Sequence, residues 1–163
     1  MLLGKTAEKL KEAGVQTLAV VATDAERARL FFRFRPVRFP VGADPDLITH
    51  RAYGLPQMAV TPEFMQAIES VSADLARELR LKVPAEGALA AIEGLDGYAR
   101  TDADAADFQR HQAQLVGQFL VDGKGIVRWT NIECQRDGLA GIDKFPTDEE
   151  LLTVAQTLLI PYS

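Results

Sequence analysis

The chain has 163 residues, enough for one domain with its own core, and an ordinary globular balance of 47% apolar and 25% charged residues. A net charge of −5 argues against nucleic acid as a partner, one Cys excludes an internal disulfide and any multi-Cys metal site, and with two His no zinc or other cofactor is expected. There is no apolar signal region and no run of membrane-spanning length, so no membrane partner is expected and the cytoplasm is the default compartment.

The charge is uneven. Residues 1–40 hold eight Lys/Arg against four Asp/Glu, a balance of +4, which leaves −9 for the remainder. Met1 to Ala13 reads as a helix, with Leu3, Ala7 and Leu10 on one face and Gly14 as its C-terminal stop. Val15 to Val21 reads as a buried strand. Thr23-Asp24-Ala25-Glu26 has capping-box spacing and opens a helix from about Asp24 to Arg35, stopped by Pro36. Arg38 to Val41 is a short extended piece. Asp44-Pro45 opens a short helix, with Asp44 as N-cap, that ends at Gly54.

Thr61-Pro62-Glu63 begins a longer helix to about Arg80, carrying the stripe Phe64, Ile68, Val71, Leu75 and Leu79. Pro84 to Leu95 is a shorter helix weakened by Gly87, and Thr101-Asp102-Ala103-Asp104 is an acidic cap for a helix to about Gln112. The span 56–114 is therefore predicted to be a helical, acidic insertion packed on one end of a sheet, with Phe64, Ile68, Val71 and Leu75 buried.

Gln118 to Trp129 reads as a β-hairpin. Phe119, Leu120 and Val121 lead into the turn Asp122-Gly123-Lys124-Gly125, and Ile126, Val127 and Trp129 start the return strand. The first strand is apolar throughout, as in a strand covered on both faces, so a sheet with helices on each side is expected. Gly138 to Lys144 is loop. Thr147-Asp148-Glu149-Glu150 is a capping box that opens an amphipathic helix through Leu151, Leu152, Val154, Ala155, Leu158 and Leu159.

Phe119-Leu120-Val121-Asp122-Gly123-Lys124-Gly125-Ile126-Val127-Arg128 resembles the F-[LI]-[IV]-D-x-x-G-x-[IV]-R hairpin of peroxiredoxin-like redoxins of the AhpC/TSA superfamily. The segment from Asp44-Pro45 to Tyr53-Gly54-Leu55 resembles the redoxin stretch that links the second helix to the third strand. The tail Asn131-Ile132-Glu133-Cys134 to Leu151-Leu152 is similar to that of a bacterial subgroup with a helical insertion before the hairpin. The resemblance implies a single thioredoxin-like domain over residues 1–163, a three-layer α/β/α sandwich lacking its first β-strand. It implies thiol-dependent antioxidant chemistry. A thiolate attacks a peroxide or disulfide, forms a sulfenate or mixed disulfide, and is restored by another thiol.

The family's redox cysteine lies at the N-terminal end of the first helix, in T-x-x-C or C-x-x-C. Here Met1 already lies in the corresponding helix, and no residue inherits that role. Leu115-Val116-Gly117 stands where a thioredoxin cis-Pro or a peroxiredoxin Arg would precede the hairpin. The chain is therefore expected to be truncated before the redox cysteine and inactive as it stands. An intact form would take a peroxide or disulfide substrate and a thiol reductant, with a homodimer as an open option. Without the first strand, Val15–Val21 would lack a neighbour on the hairpin side. The gap would stay open, be filled by a second chain, or close directly, with low stability.

Cys134 is the weak thiol candidate, either a resolving or redox-sensing group or, the favoured reading, a small half-buried side chain. Arg128, which ends the hairpin motif, is a weak anion-orienting candidate against a surface ion pair. His50 and His111 are read as structural or solvent-exposed. Arg27, Arg29, Arg33, Arg35 and Arg38, alternating with Leu30, Phe31, Phe32 and Phe34, suggest a solvated face over a packed one. Asp102, Asp104 and Asp107 read as an acidic helix start, and Trp129 and Phe119 as core or hairpin pairs. Two other classes stay open. One is a non-catalytic thioredoxin-like binding module, and the weaker one is a basic-helix RNA-associated protein.

Overall fold

The computed structural model describes residues 2–159 and the side chains of residues 4–158. Met1, and the Leu3 and Leu159 positions of the two predicted stripes, lie outside that description. Helix α1 (Leu2–Glu12) ends as its sequence predicts. Gly14, at φ +85, donates to Lys11 O at 3.0 Å, and Val15 donates to Leu10 O at 2.8 Å. This is the paired bonding of a glycine-stopped helix end.

The chain continues through β1 (Ala19–Val21), α2 (Ala25–Phe34), β2 (Val41–Ala43), α3 (Ile48–Ala52), β3 (Gln57–Met58) and α4 (Pro62–Glu78). A 3₁₀ turn at Ala85–Gly87 and α5 (Ala88–Glu93) follow, then α6 (Asp102–His111), β4 (Ala113–Gln114) and the hairpin β5 (Gly117–Val121) and β6 (Val127–Ile132). A second 3₁₀ turn at Gly138–Gly141 precedes α7 (Asp148–Leu159). The architecture is mixed α/β.

Three expectations are corrected. First, the described strands form three separate two-stranded sheets rather than one: β1 with β2 in parallel, β3 with β4 antiparallel, β5 with β6 antiparallel. The hairpin is thus not covered on both faces: Leu120 is buried, while Val121 and Val127 are 45% and 40% exposed. Nor does β1 close against β5.

Second, the strand predicted at Val15–Val21 is laddered only over Ala19–Val21, because its partner β2 offers only Val41–Ala43. Leu18, outside the ladder, is 65% exposed.

Third, two caps sit elsewhere. Asp24, not Thr23, accepts the Arg27 N–H at 2.8 Å, while the Thr23 hydroxyl donates to Asp107 at 2.6 Å. Asp44 is not the residue next to its helix. It caps α3 from four residues away, and Leu47 takes the cap position at φ +56.

The local caps elsewhere stand where the sequence puts them. Thr61 caps α4, and Thr101 with Asp104, and Thr147 with Glu150, make reciprocal bonds at the starts of α6 and α7. The span predicted as an insertion is closed at its base by the β3–β4 ladder, Gln57 opposite Gln114. Within it, Phe64 is buried, Ile68 and Val71 pack on the same cluster and Leu75 is half-buried; Leu79, at the end of the helix, is 47% exposed. The buried face turns instead toward Ser72 and Ala76, where small side chains let α5, with Ala88 fully buried, pack against α4.

Two apolar clusters hold the fold. One joins α1, the hairpin and α7 through Leu10, Leu120, Leu151 and Ala155, with Trp129 and Val15 against it. Thr6 and Lys9 of α1 reinforce it by donating to the two oxygens of Asp148, both at 2.5 Å. The other joins α4 and β4 to the segment after the hairpin through Phe64, Ala113 and Ile142, with Cys134 at its margin.

Candidate functional site

Where β6 ends, the chain turns sharply, and this turn carries the thiol. Glu133 is buried at 9% exposure, and its carboxylate accepts the N–H of Val116 at 3.0 Å and of Asp143 at 2.9 Å. Its own N–H donates to Val116 O at 2.9 Å. Cys134 follows at φ +61, its carbonyl accepting from Gly138 N at 3.0 Å. Gly141 lies so close that an added Cβ would stand 3.2 Å from Cys134 Cα and 3.3 Å from its N. Only glycine fits there without moving the turn.

Cys134 lies between the second apolar cluster and a cavity of about 620 Å³. Trp129 and Asn131 from β6, Arg136, Lys144 and Phe145 from the connecting loop, and Thr153 from α7 line that cavity. Burial pushes the thiol pKa up, and the negative Glu133 beside it pushes it further. The lining acids Glu133, Asp137, Glu149 and Glu150 outnumber the lining bases Arg136 and Lys144. Both effects disfavour the thiolate that a nucleophile would need. Among the described residues no group of His, Cys, Asp and Glu is arranged to hold a metal ion.

Arg128 does not reach this cavity. Its Nε donates to Asp122 at 2.8 Å, while the other Asp122 oxygen accepts from Lys124 N and Ile126 N at 2.9 and 3.0 Å. The backbone bond from Ile126, then that from Arg128, hold the Asp122 carboxyl below its usual range. Arg128 is thus a clasp on the hairpin turn, at the opposite end of β6 from Cys134.

His50 is a structural partner of Asp44, Nδ1 to Oδ2 at 2.9 Å. The Asp44 carboxylate also accepts from Ile48 N, Thr49 N and His50 N at 2.8, 2.8 and 3.2 Å. Burial alone would raise its pKa, but the His50 ring and those three N–H groups outweigh burial and hold it at about 2. His111 is buried, its Nε2 without a hydrogen-bond partner among the described residues, and its carbonyl accepts from Gln114 at 2.7 Å. Phe119 meets Tyr53 edge-on at 4.8 Å.

Two of the series are less solvated than their spacing suggests: Arg27 pairs with Asp104 and Arg35 with Asp96, both partly buried, whereas Arg29 and Arg33 point outward and Arg38, 3.4 Å from Glu8, stays exposed. Sequence reasoning missed Glu133 as the clamp of the thiol turn and Asp104 as an ion-pair acceptor. The acid next to the only Cys was a usable signal for the first. Nothing local signals the second, since its partner lies 77 residues away.

Comparison with protein-family models, with curated proteins and with solved structures finds no match for this chain. No helix among the described residues is long and apolar enough to cross a membrane.

Proposed function

We propose that the chain is a redoxin-type, thioredoxin-like domain that acts here as a binding module rather than as a thiol peroxidase. The redoxin part rests on the Phe119–Arg128 hairpin motif and on the order of elements around it: helix, strand, helix, strand, helical segment, hairpin, helix. This reading requires the three short strand pairs to be the pieces of one redoxin sheet. They stand separately in the structure, which weighs against a complete three-layer sandwich.

The observation that carries the non-catalytic part is the state of Cys134. It is the one thiol of the sequence, it sits at the margin of an apolar cluster, and burial and the neighbouring Glu133 both disfavour its thiolate. A peroxidatic thiol needs the opposite surroundings, a cation or a helix N-terminus that favours thiolate. The cavity beside it, with Trp129 and Phe145 for apolar contact and Arg136 and Lys144 for charge, suits binding of a small molecule or a partner side chain.

Trp129 is the only tryptophan and lines the cavity, so its fluorescence reports occupancy directly. Titration with oxidised and with reduced glutathione, compared between the parent chain and Cys134→Ser, tests the reading. Saturable quenching that survives Cys134→Ser supports binding without thiol chemistry. Quenching that requires Cys134 and an oxidised ligand restores the thiol oxidoreductase alternative.

A further inference from the structure

We propose that residues 93–107 form an acidic strap, closed on one face of α2 by ion pairs and released by salt. The contacts between the two are polar and aromatic. The Arg27 guanidinium donates to Asp104 and, at 3.1 Å, to the Tyr98 hydroxyl, which itself donates to Asp104 at 2.8 Å. Arg35 pairs with Asp96 and donates to the Glu93 carbonyl at 3.2 Å. Just outside α2, the Thr23 hydroxyl donates to Asp107 at 2.6 Å.

Aromatic edges fill the space between these bonds. The Arg35 guanidinium carbon lies 4.2 Å from the Phe31 ring centre and 5.6 Å from that of Tyr98. Tyr98 meets Phe31 and Phe34 edge-on at 5.4 and 5.6 Å. Neither apolar cluster draws a residue from α2 or from 93–107. The strap is therefore held by ion pairs, hydrogen bonds and aromatic edges; the paired side chains keep 15–31% of their surface exposed, so salt screens these pairs in part, whereas it does not weaken the apolar burial that holds the two clusters.

The strap also has a place to bend. Gly97 sits at φ +80, with no atom within 4 Å of where its Cβ would be. Release would leave Thr101 and Asp104 capping α6, since that bonding lies within the strap. It would free Arg27 and Arg35 to join Arg29 and Arg33, which have no ion-pair partner among the described residues. Four guanidiniums, with Phe31 and Phe34 between them, would then stand along α2 and its C-cap.

The test is hydrogen–deuterium exchange on the full chain, read peptide by peptide, in salt of about 0.01 M and about 1 M, where the screening length falls from roughly 30 Å to roughly 3 Å. Amides of the strap are expected to exchange about tenfold faster at high salt, while those of β5 and β6 keep their rate. Arg27→Met removes the central ion pair without touching the α6 cap. It should give the strap its high-salt rate already at low salt. Arg35→Met, at the strap's other attachment, should do the same in part, and serves if Arg27→Met does not fold. Equal strap exchange at both salt levels, or an acceleration shared equally by the hairpin, would overturn the proposal.

Discussion

Glu133 and Val116 hold each other twice: the Glu133 N–H donates to the Val116 carbonyl at 2.9 Å, and the Val116 N–H donates to the Glu133 carboxylate at 3.0 Å. The second carboxylate oxygen takes the Asp143 N–H, so one buried acid pins the chain before β5 to the loop beyond the thiol turn.

Glu133→Ala should leave the N–H groups of Val116 and Asp143 without their acceptor, at about 1–3 kcal/mol for each that stays buried. The denaturant midpoint should fall with little change in slope. Glu133→Gln keeps one acceptor oxygen, should fall between, and should lower the thiol pKa by removing the neighbouring negative charge. Alkylation of Cys134 by iodoacetamide, followed against pH, reads that shift.

Gly141→Ala should disturb the same turn from the other side. The new methyl would meet the Cys134 backbone at 3.2 Å, and backbone yields less readily than a side-chain end. Overpacking of this kind costs about 1–3 kcal/mol. The thiol should alkylate faster as the turn is pushed outward. Gly123→Ala, in the hairpin turn with no atom within 4 Å and no positive φ, is the neutral control.

Acid should weaken the protein through Asp44. Its carboxyl is held at about 2 against an ordinary 3.8, so between these values the unfolded chain binds more protons than the folded one. The stabilisation is full above about pH 4, is lost as pH falls toward 2, and is on the order of 2 kcal/mol. Asp104 is also held at about 2, with Arg27 the leading cause opposing burial, and titrates in the same window. Asp44→Asn should therefore flatten the acid limb of a denaturation-midpoint curve without abolishing it.

Features that depend on neighbours in sequence were legible, and features that depend on distant partners were not. The Thr147 box and the Thr101 cap bond within four residues and stand where the sequence puts them, the Thr101 cap as a full reciprocal box with Asp104. The Thr23 hydroxyl has the same spacing to Glu26, yet it is taken by Asp107, 84 residues away, and Asp24 caps α2 instead. Asp24→Ala should therefore destabilise by about 0.5–2 kcal/mol through loss of the cap, with frayed N–H exchange at the start of α2. Thr23→Ala should leave that exchange unchanged.

The strand at Val15–Val21 was over-read for a related reason: its apolar character is local, but ladder length is set by β2. The cavity at Cys134 assembles from β6, the connecting loop and α7, and no spacing rule encodes it. The hairpin turn was legible because Asp122, Gly125 and Arg128 are all held by bonds within it.

The most direct test of the non-catalytic reading is peroxide consumption by this chain and by Cys134→Ser, with excess dithiothreitol as reductant, across a range of hydrogen peroxide concentrations. The account predicts a rate that rises linearly with peroxide, does not saturate, and does not exceed that of an equal concentration of free cysteine. A rate that saturates, exceeds that level and disappears in Cys134→Ser would contradict it and make Cys134 the nucleophile.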